Sequence, residues 1–211
     1  MRMRLNEATV LLLGAFAAAL FAAPATAAAP DTAETCADCH GDDGVSSDGE
    51  IPTIAGASAF FLENQLFIFQ EEARPCAAGV FEDKDEQPAA DDHCALAKEL
   101  SEDQVIALAE YYASQPFQPA EQPVDQALAD SGESIHNRSC DKCHTDGGSL
   151  DLDDAGILAG QWKPYLIEQM EYFKAGKRWQ PEKMQPEMEG LSADDMKALA
   201  EYYASQGPER F

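Results

Sequence analysis

Two copies of one short motif offer the most specific chemistry in this sequence. Each copy reads Cys-x-x-Cys-His, and the copies end at His40 and His144. Two thiols about one helical turn apart can add to the two vinyl groups of one porphyrin, and the histidine that follows can bind its iron. We therefore predict two covalently bound haem c groups, with His40 and His144 as proximal iron ligands. The predicted attachment residues are Cys36, Cys39, Cys140 and Cys143.

Other uses of a Cys-x-x-Cys motif fit this chain less well. A structural zinc site would need further pairs of Cys or His at ordinary spacings, and the sequence has none. A thioredoxin-type motif would lie within alternating strand and helix patterns, which are also missing. The histidine in the fifth position of both copies therefore favours haem attachment.

Residues 1–27 predict a secretory signal peptide. They begin with two arginines, continue with an apolar run over 10–23 and end in Ala-Thr-Ala, a typical cleavage site. The run is shorter than the roughly 20 residues that span a bilayer, and an uncleaved anchor is the alternative. We expect cleavage and a mature chain in the periplasm without a transmembrane segment. Thiols can be oxidised in that compartment.

Acidic residues dominate the composition. The 211 residues include 39 Asp and Glu against 14 Lys and Arg, a formal net charge of −25. Because nucleic acids and anionic lipids bind basic surfaces, neither is an expected partner. The balance favours a redox partner with a basic patch, although the same acidity can be an adaptation to a saline habitat.

The chain is an internal duplication. The two haem motifs are 104 residues apart, and the same spacing relates Gln65, Phe69 and Arg74 to Gln169, Phe173 and Arg178. Further on, the Ala-Glu-Tyr-Tyr-Ala-Ser-Gln segments at 109–115 and 200–206 are 91 residues apart. The first half therefore carries an acidic insertion of 13 residues between Arg74 and Leu100.

Helical patterns predict the secondary structure of each half. Apolar residues recur with helical spacing over about 59–72 and again over about 164–175. A last helix is expected to start at Ser101 and at Ser192, since each serine can cap a first turn that contains acids. Residues 116–123 contain three prolines and are predicted to be a linker. The predicted domains are 28–115, with the insertion, and 124–211.

These elements resemble the dihaem cytochrome c4 family, and the cytochrome subunit of flavocytochrome c sulfide dehydrogenase is similar. The resemblance covers 31–211 and rests on the haem motifs, the Ile-Ala-Gly and Leu-Ala-Gly elements and the last helices. It implies an all-α fold of two tandem class I cytochrome c domains joined by a Pro-rich linker. It also implies that the Pro52 carbonyl can hold the proximal His40, whereas the matching residue of the second domain is Gly156.

In that family a methionine shortly before the Leu-Ser element is the distal iron ligand. Met184 lies seven residues before Leu191 and is the predicted ligand of haem 2, with Met188 as the alternative. The first domain has no methionine, because none lies between 28 and 169. His93 lies seven residues before Leu100, in the matching position, and is the predicted ligand of haem 1. A solvated histidine in an acidic loop is the alternative.

Cys76 and Cys94 lie at the two ends of the insertion. Outside the cytoplasm, the simplest expectation is a disulfide that closes the acidic loop. Alternatively, one of the two ligates haem 1 as a thiolate, as in some sulfur-oxidising cytochromes. A disulfide and a thiolate ligand exclude each other on the same cysteine.

The expected function is single-electron transport from a donor dehydrogenase to a higher-potential acceptor, such as another cytochrome or a terminal oxidase. Because a thioether ligand raises the potential, a bis-His haem 1 should lie below haem 2. We expect an electron-transfer protein rather than an enzyme. The alternatives are a haem subunit of a sulfur-compound dehydrogenase, as in flavocytochrome c, and a thiosulfate-dehydrogenase-like enzyme with haem 1 as its catalytic site.

Overall fold

The structure is a computed structural model that describes residues 28–76 and 92–211. The predicted signal peptide and residues 77–91, in the region of the insertion, lie outside the described residues. Within the described ranges, regular structure consists of helices and short 3₁₀ turns, with no strand. This confirms the all-α fold class. No helix in these ranges combines the length and the apolarity that a bilayer crossing requires.

The described part of the first half contains four helices. They are Ala33–His40 (α1), Ala59–Gln70 (α2), His93–Lys98 (α3) and Glu102–Ala113 (α4). The first haem motif lies on α1, and α2 packs against both α3 and α4. The predicted helix over 59–72 is thus present and ends two residues early.

The second half repeats this order after a longer first helix. Its helices are Gln126–Ser139 (α5), Thr145–Gly148 (α6), Lys163–Lys174 (α7), Gln185–Gly190 (α8) and Ala193–Ala204 (α9). The segment α6 is a kinked turn, because Asp146 and Gly147 have left-handed φ values of 51° and 68°. The helices α7, α8 and α9 occupy the places that α2, α3 and α4 have in the first half.

The predicted starts of the two last helices are confirmed. Ser101 caps α4: its side-chain oxygen accepts from the backbone N–H of Gln104, whose side chain accepts from the backbone N–H of Ser101. Ser192 and Asp195 form the same reciprocal box before α9. Each box satisfies two backbone donors that the start of a helix leaves without an intrahelical partner.

The loop after each haem motif is attached to the last helix of its half in the same way. The N–H of Gly56 donates to the Tyr112 carbonyl at 2.9 Å, and the N–H of Gly160 donates to the Tyr203 carbonyl at 2.8 Å. Gly56 has φ +70°, and a Cβ there would lie 2.9 Å from the Cβ of Phe117. The position therefore requires glycine, and Phe117 of the linker is buried against this loop.

The two halves also pack directly against one another. The side-chain oxygen of Gln161 accepts from the Thr53 N–H at 2.9 Å, and its amide nitrogen donates to the Thr53 carbonyl at 2.8 Å. The indole N–H of Trp162 donates to the Ser46 carbonyl at 3.1 Å. Backbone groups of the first half are thus satisfied by side chains of the second, which ties the two halves in one arrangement.

Candidate haem sites

The first candidate site is built around His40, the last residue of α1. The His40 side chain is buried, and its Nδ1 donates to the Pro52 carbonyl at 2.8 Å. The other ring nitrogen, Nε2, is therefore the one that could bind a metal ion. Burial lowers the pKa of His40 to about 4, more than the Pro52 hydrogen bond raises it. The imidazole is therefore neutral near pH 7, the form that binds a metal ion.

His93 lies opposite His40. The two ring centroids are 5.9 Å apart, and the rings are nearly perpendicular, at 85°. A bond of about 2 Å from each imidazole nitrogen to a metal ion, plus the half-width of each ring, accounts for about this separation. The ring of Phe69 stacks on His93 with a centroid distance of 4.7 Å. The structure therefore brings the two predicted ligands of haem 1 close together, on opposite sides of one gap.

Four features of the first half hold the segment that begins with His93. Cys76 and Cys94 form a disulfide, and the Cys76 carbonyl accepts from the His93 N–H at 2.7 Å. Asp92 caps α3 by accepting from the N–H of Cys94 at 2.9 Å. The Gln70 amide donates to the last carbonyls of this segment and ties it to α2. The predicted disulfide is thus present, directly beside the predicted ligand.

The second candidate site is built around His144, which follows α5. Its Nδ1 is buried and has no hydrogen-bond partner among the residues that the structure describes. Burial lowers the pKa of His144 to about 4, with a further contribution from His136, so this imidazole is also neutral near pH 7. Cys140 is partly buried against the apolar core of the second half, whereas Cys143 is exposed. One attachment position therefore lies inside the protein and the other at its surface.

Met184 and Met188 differ in their surroundings. Met188 is 6% exposed and belongs to the apolar core of the second half, whereas Met184 is partly buried at the edge of that core, immediately before α8. His93 has the same place at the start of α3. The Nζ of Lys174 donates to the carbonyls of Glu189 and Leu191 and so ties the end of α8 to α7.

A buried polar cluster joins the two halves between the sites. The guanidinium of Arg74 donates to the Gln65 and Gln169 side-chain oxygens at 2.6 and 2.9 Å. The guanidinium of Arg178 donates to the same two oxygens, each at 2.7 Å. Burial raises the pKa of the Tyr165 phenol, but the positive charges of Arg178 and Arg74 lower it by more, so the net shift is downward. Each half thus supplies one arginine and one glutamine to a reciprocal arrangement.

The charge of this cluster fits an anionic cofactor. Both arginines are buried, and burial together with the neighbouring Arg178 lowers the pKa of Arg74 to about 9. Their hydrogen-bond partners are uncharged oxygens, and the Nε of Arg74 has no partner among the described residues. Two buried positive charges require anionic partners, and a haem carries two propionate carboxylates. The residues present therefore fit haem.

Sequence reasoning did not recognise this cluster as part of a site. Its signal was in the duplication, because Gln65 and Arg74 repeat as Gln169 and Arg178. Repetition alone did not reveal that the two copies face each other.

Comparisons with known proteins identify a cytochrome c domain in each half. The family model described as cytochrome c matches residues 25–115, and the model described as subunit III of cbb3-type cytochrome c oxidase matches residues 127–202. A thiosulfate dehydrogenase electron acceptor from Thiomonas intermedia is 32% identical over 190 residues, which cover 84% of this chain and 81% of that protein.

Two solved structures have a similar fold. Reduced recombinant cytochrome c4 from Pseudomonas stutzeri has a TM-score of 0.66 and 25% identity, and the match covers 82% of this chain and 93% of that one. A thiosulfate dehydrogenase from Marichromatium purpuratum has a TM-score of 0.63 and 25% identity, over 81% of this chain and 36% of that one. This chain belongs to the dihaem cytochrome c4 family of electron carriers and carries two covalently bound haem c groups.

Proposed function

We propose that this protein is a periplasmic carrier that accepts single electrons at a low-potential haem 1 and delivers them from a higher-potential haem 2. Cys36 and Cys39 would attach haem 1, and Cys140 and Cys143 would attach haem 2. The iron ligands would be His40 and His93 for haem 1, and His144 and Met184 for haem 2. The haem irons, which cycle between the ferrous and ferric states, supply the one-electron chemistry.

The observation that carries this proposal is the pair of imidazoles at the first site. The 5.9 Å between the His40 and His93 centroids leaves room for one metal ion between the buried ring of His40 and the partly buried ring of His93. Two imidazoles stabilise ferric iron better than one imidazole and one thioether. The first domain has no methionine that could take the place of His93. The order of potentials, and with it the direction of electron flow, follows from this difference.

The donor that we propose is a thiosulfate dehydrogenase. The support for it is the similarity to a protein named as the electron acceptor of such an enzyme. The acceptor would be a more oxidising redox protein, such as another cytochrome or a terminal oxidase.

The charge distribution favours docking of a basic partner on the first half. Residues 28–115 contain 20 Asp and Glu but only three Lys and Arg, a net charge of −17, whereas residues 124–211 contain 17 and nine, a net charge of −8. Arg74 is buried and Lys98 pairs with Glu72, which leaves the described surface of the first half strongly acidic. A basic partner would be attracted to it at a rate that falls with added salt.

Near-infrared magnetic circular dichroism of the oxidised, haem-loaded protein tests the ligand pairs. We expect one bis-His signal and one His/Met signal of equal weight. Binding of carbon monoxide to the reduced protein is a second test, because a haem with six ligands has no position at which carbon monoxide can bind. Thiolate or high-spin character at haem 1, or binding of one carbon monoxide per chain, would replace the carrier proposal with catalysis at haem 1.

A further inference from the structure

The proximal histidines of the two sites are held differently. His40 donates from Nδ1 to the Pro52 carbonyl at 2.8 Å, whereas the buried Nδ1 of His144 has no partner among the described residues. We infer that this difference is a second source of the potential gap between the haems, and that Phe61 of the first half maintains it by its contact with Gly156. The inference rests on the proposed function, in which haem 1 has the lower potential.

The two loops that follow the proximal histidines are anchored by the same pair of hydrogen bonds. The Gly44 carbonyl accepts from the N–H groups of Ile54 and Ala55 at 2.8 and 3.1 Å. The Gly148 carbonyl accepts from the matching pair, Leu158 and Ala159, at the same two distances. The chain therefore keeps one register at these pairs, while the residues before them differ: the second loop contains the 3₁₀ turn Asp151–Asp153, and Gly156 stands where the first loop has Pro52.

The backbone at Gly156 cannot accommodate proline. Its φ is +76°, and a proline ring holds φ near −65°. A Cβ at this position would lie 2.6 Å from Cζ and 2.9 Å from Cε2 of Phe61. The aromatic ring of the first half thus occupies the space that a side chain at 156 would need. The positive φ and the contact with Phe61 together favour glycine at this position, and the loop that contains it leaves Nδ1 of His144 without a carbonyl acceptor.

The nearby carboxylate of Asp153 is already engaged. Its Oδ2 accepts from both the N–H and the hydroxyl of Thr145, at 2.6 and 2.7 Å. No oxygen of Asp153 hydrogen-bonds to Nδ1 of His144, so this carboxylate does not replace the missing carbonyl.

A hydrogen bond from the distant nitrogen of a metal-bound imidazole makes the bound nitrogen more electron-rich. Such an imidazole favours ferric iron, so the Pro52 carbonyl lowers the potential of haem 1. The proximal ligand of haem 2 lacks this effect, which leaves the potential of haem 2 higher. The proximal difference thus acts in the same direction as the proposed exchange of methionine for histidine on the distal side.

The first test compares the two Nδ1–H groups in the unmodified, haem-loaded protein. In the reduced, diamagnetic state with ¹⁵N-labelled histidine, we expect the His40 Nδ1–H resonance to lie downfield of that of His144. It should also exchange with water at least about fivefold more slowly, as the loss of one hydrogen bond implies. Equal shifts and equal exchange rates would overturn the inference.

The second test changes the loop of haem 1. Pro52→Gly loosens the carbonyl, so the His40 resonance should move towards that of His144 and the haem 1 potential should rise, with haem 2 unchanged. Glu50→Gly, at an exposed position of the same loop, is the control and should leave both potentials unchanged. Unchanged potentials in Pro52→Gly would refute the role of this carbonyl.

The third test changes the loop of haem 2. Gly156→Pro alone conflicts with the φ of +76° and should disrupt the loop, whereas Phe61→Ala combined with Gly156→Pro also removes the ring that we infer holds the loop in that conformation. In the double variant the haem 2 potential should fall and the His144 resonance should move towards that of His40. An unchanged haem 2 potential would refute the role of Phe61. The inference and the proposed function fail separately: magnetic circular dichroism decides the distal ligands, whereas the Nδ1–H comparison concerns only the proximal histidines.

Discussion

The segments that begin with His93 and Met184 have the same place in the two halves but are anchored by different means. In the second half, α8 inserts Met188 into the apolar core and is tied to α7 by Lys174. In the first half, α3 buries only the small side chains of Cys94 and Ala97, and a disulfide supplies the anchor. A duplicated fold can thus replace one predicted ligand with another and keep its helices, provided that the segment with the ligand is anchored in a new way, here by the disulfide.

The largest expected effect comes from removing either predicted distal ligand. His93→Ala should open one coordination position on haem 1, and the reduced variant should bind one carbon monoxide per chain where the parent binds none. Met184→Ala should do the same at haem 2. Titration followed by the Soret absorption measures both. Met188→Leu is the matched control, and binding of carbon monoxide by that variant would instead assign Met188 as the ligand.

The next largest expected effect is a change in the midpoint potential of haem 1. His93→Met would give haem 1 the ligand pair proposed for haem 2, so its midpoint potential should rise by on the order of 0.1 V, a fraction of the roughly 0.8 V that axial ligands span. Spectroelectrochemical titration should then show two potentials that lie closer together than in the parent. A gap that stays as wide as before would contradict the assignment of His93.

The disulfide should contribute stability as well as position. Replacing both Cys76 and Cys94 with serine opens a loop of 18 residues and should lower the free energy of unfolding by about 3 kcal/mol. Denaturant unfolding of the haem-loaded protein measures this loss. The variant should also bind some carbon monoxide at haem 1, because His93 is less firmly held. Full stability together with an unchanged haem 1 would show that Asp92 and Gln70 suffice as anchors.

The smallest expected effects are losses of stability, and they compare the buried arginine and glutamine cluster between the halves with an ion pair at the surface. Arg74→Leu leaves the oxygens of Gln65 and Gln169 with fewer donors and should destabilise the haem-loaded protein by about 2 kcal/mol. Arg210→Leu removes an ion pair with Asp146 that lies largely in solvent, and should cost at most about 1 kcal/mol. Thermal unfolding of both variants provides the comparison, and equal losses would deny the cluster a special role.

The parts of the molecule that the sequence predicts well depend on local signals. The Cys-x-x-Cys-His motif places thiols and imidazole within one turn of chain, and Ser101 and Ser192 cap their helices through residues three positions away. The place of His93 was also predictable, because the duplication supplied a template at Met184. In each case the interaction involves residues a few positions apart, or the same pattern occurs in the second half of the sequence.

The remaining features depend on how the two halves meet. Nothing in the sequence around Gly156 indicates that Phe61, from the other half, takes the space of a side chain there. The same holds for the shared hydrogen bonds of Arg74 and Arg178, whose partners are 95 and 113 residues away in the chain. Such contacts follow from the docking of two domains, for which neither composition nor periodicity provides a signal.

The close contact between the halves has a consequence for the time course of internal electron transfer. Gln161 binds both backbone groups of Thr53, and Phe117 of the linker is buried rather than extended into solvent. Rocking of one domain against the other would have to break these contacts, so we expect transfer between the haems to proceed without such a motion. The rate of electron transfer between the two haems should therefore be independent of solvent viscosity. Added sucrose should slow the encounter with redox partners and leave the rate of transfer from one half to the other unchanged.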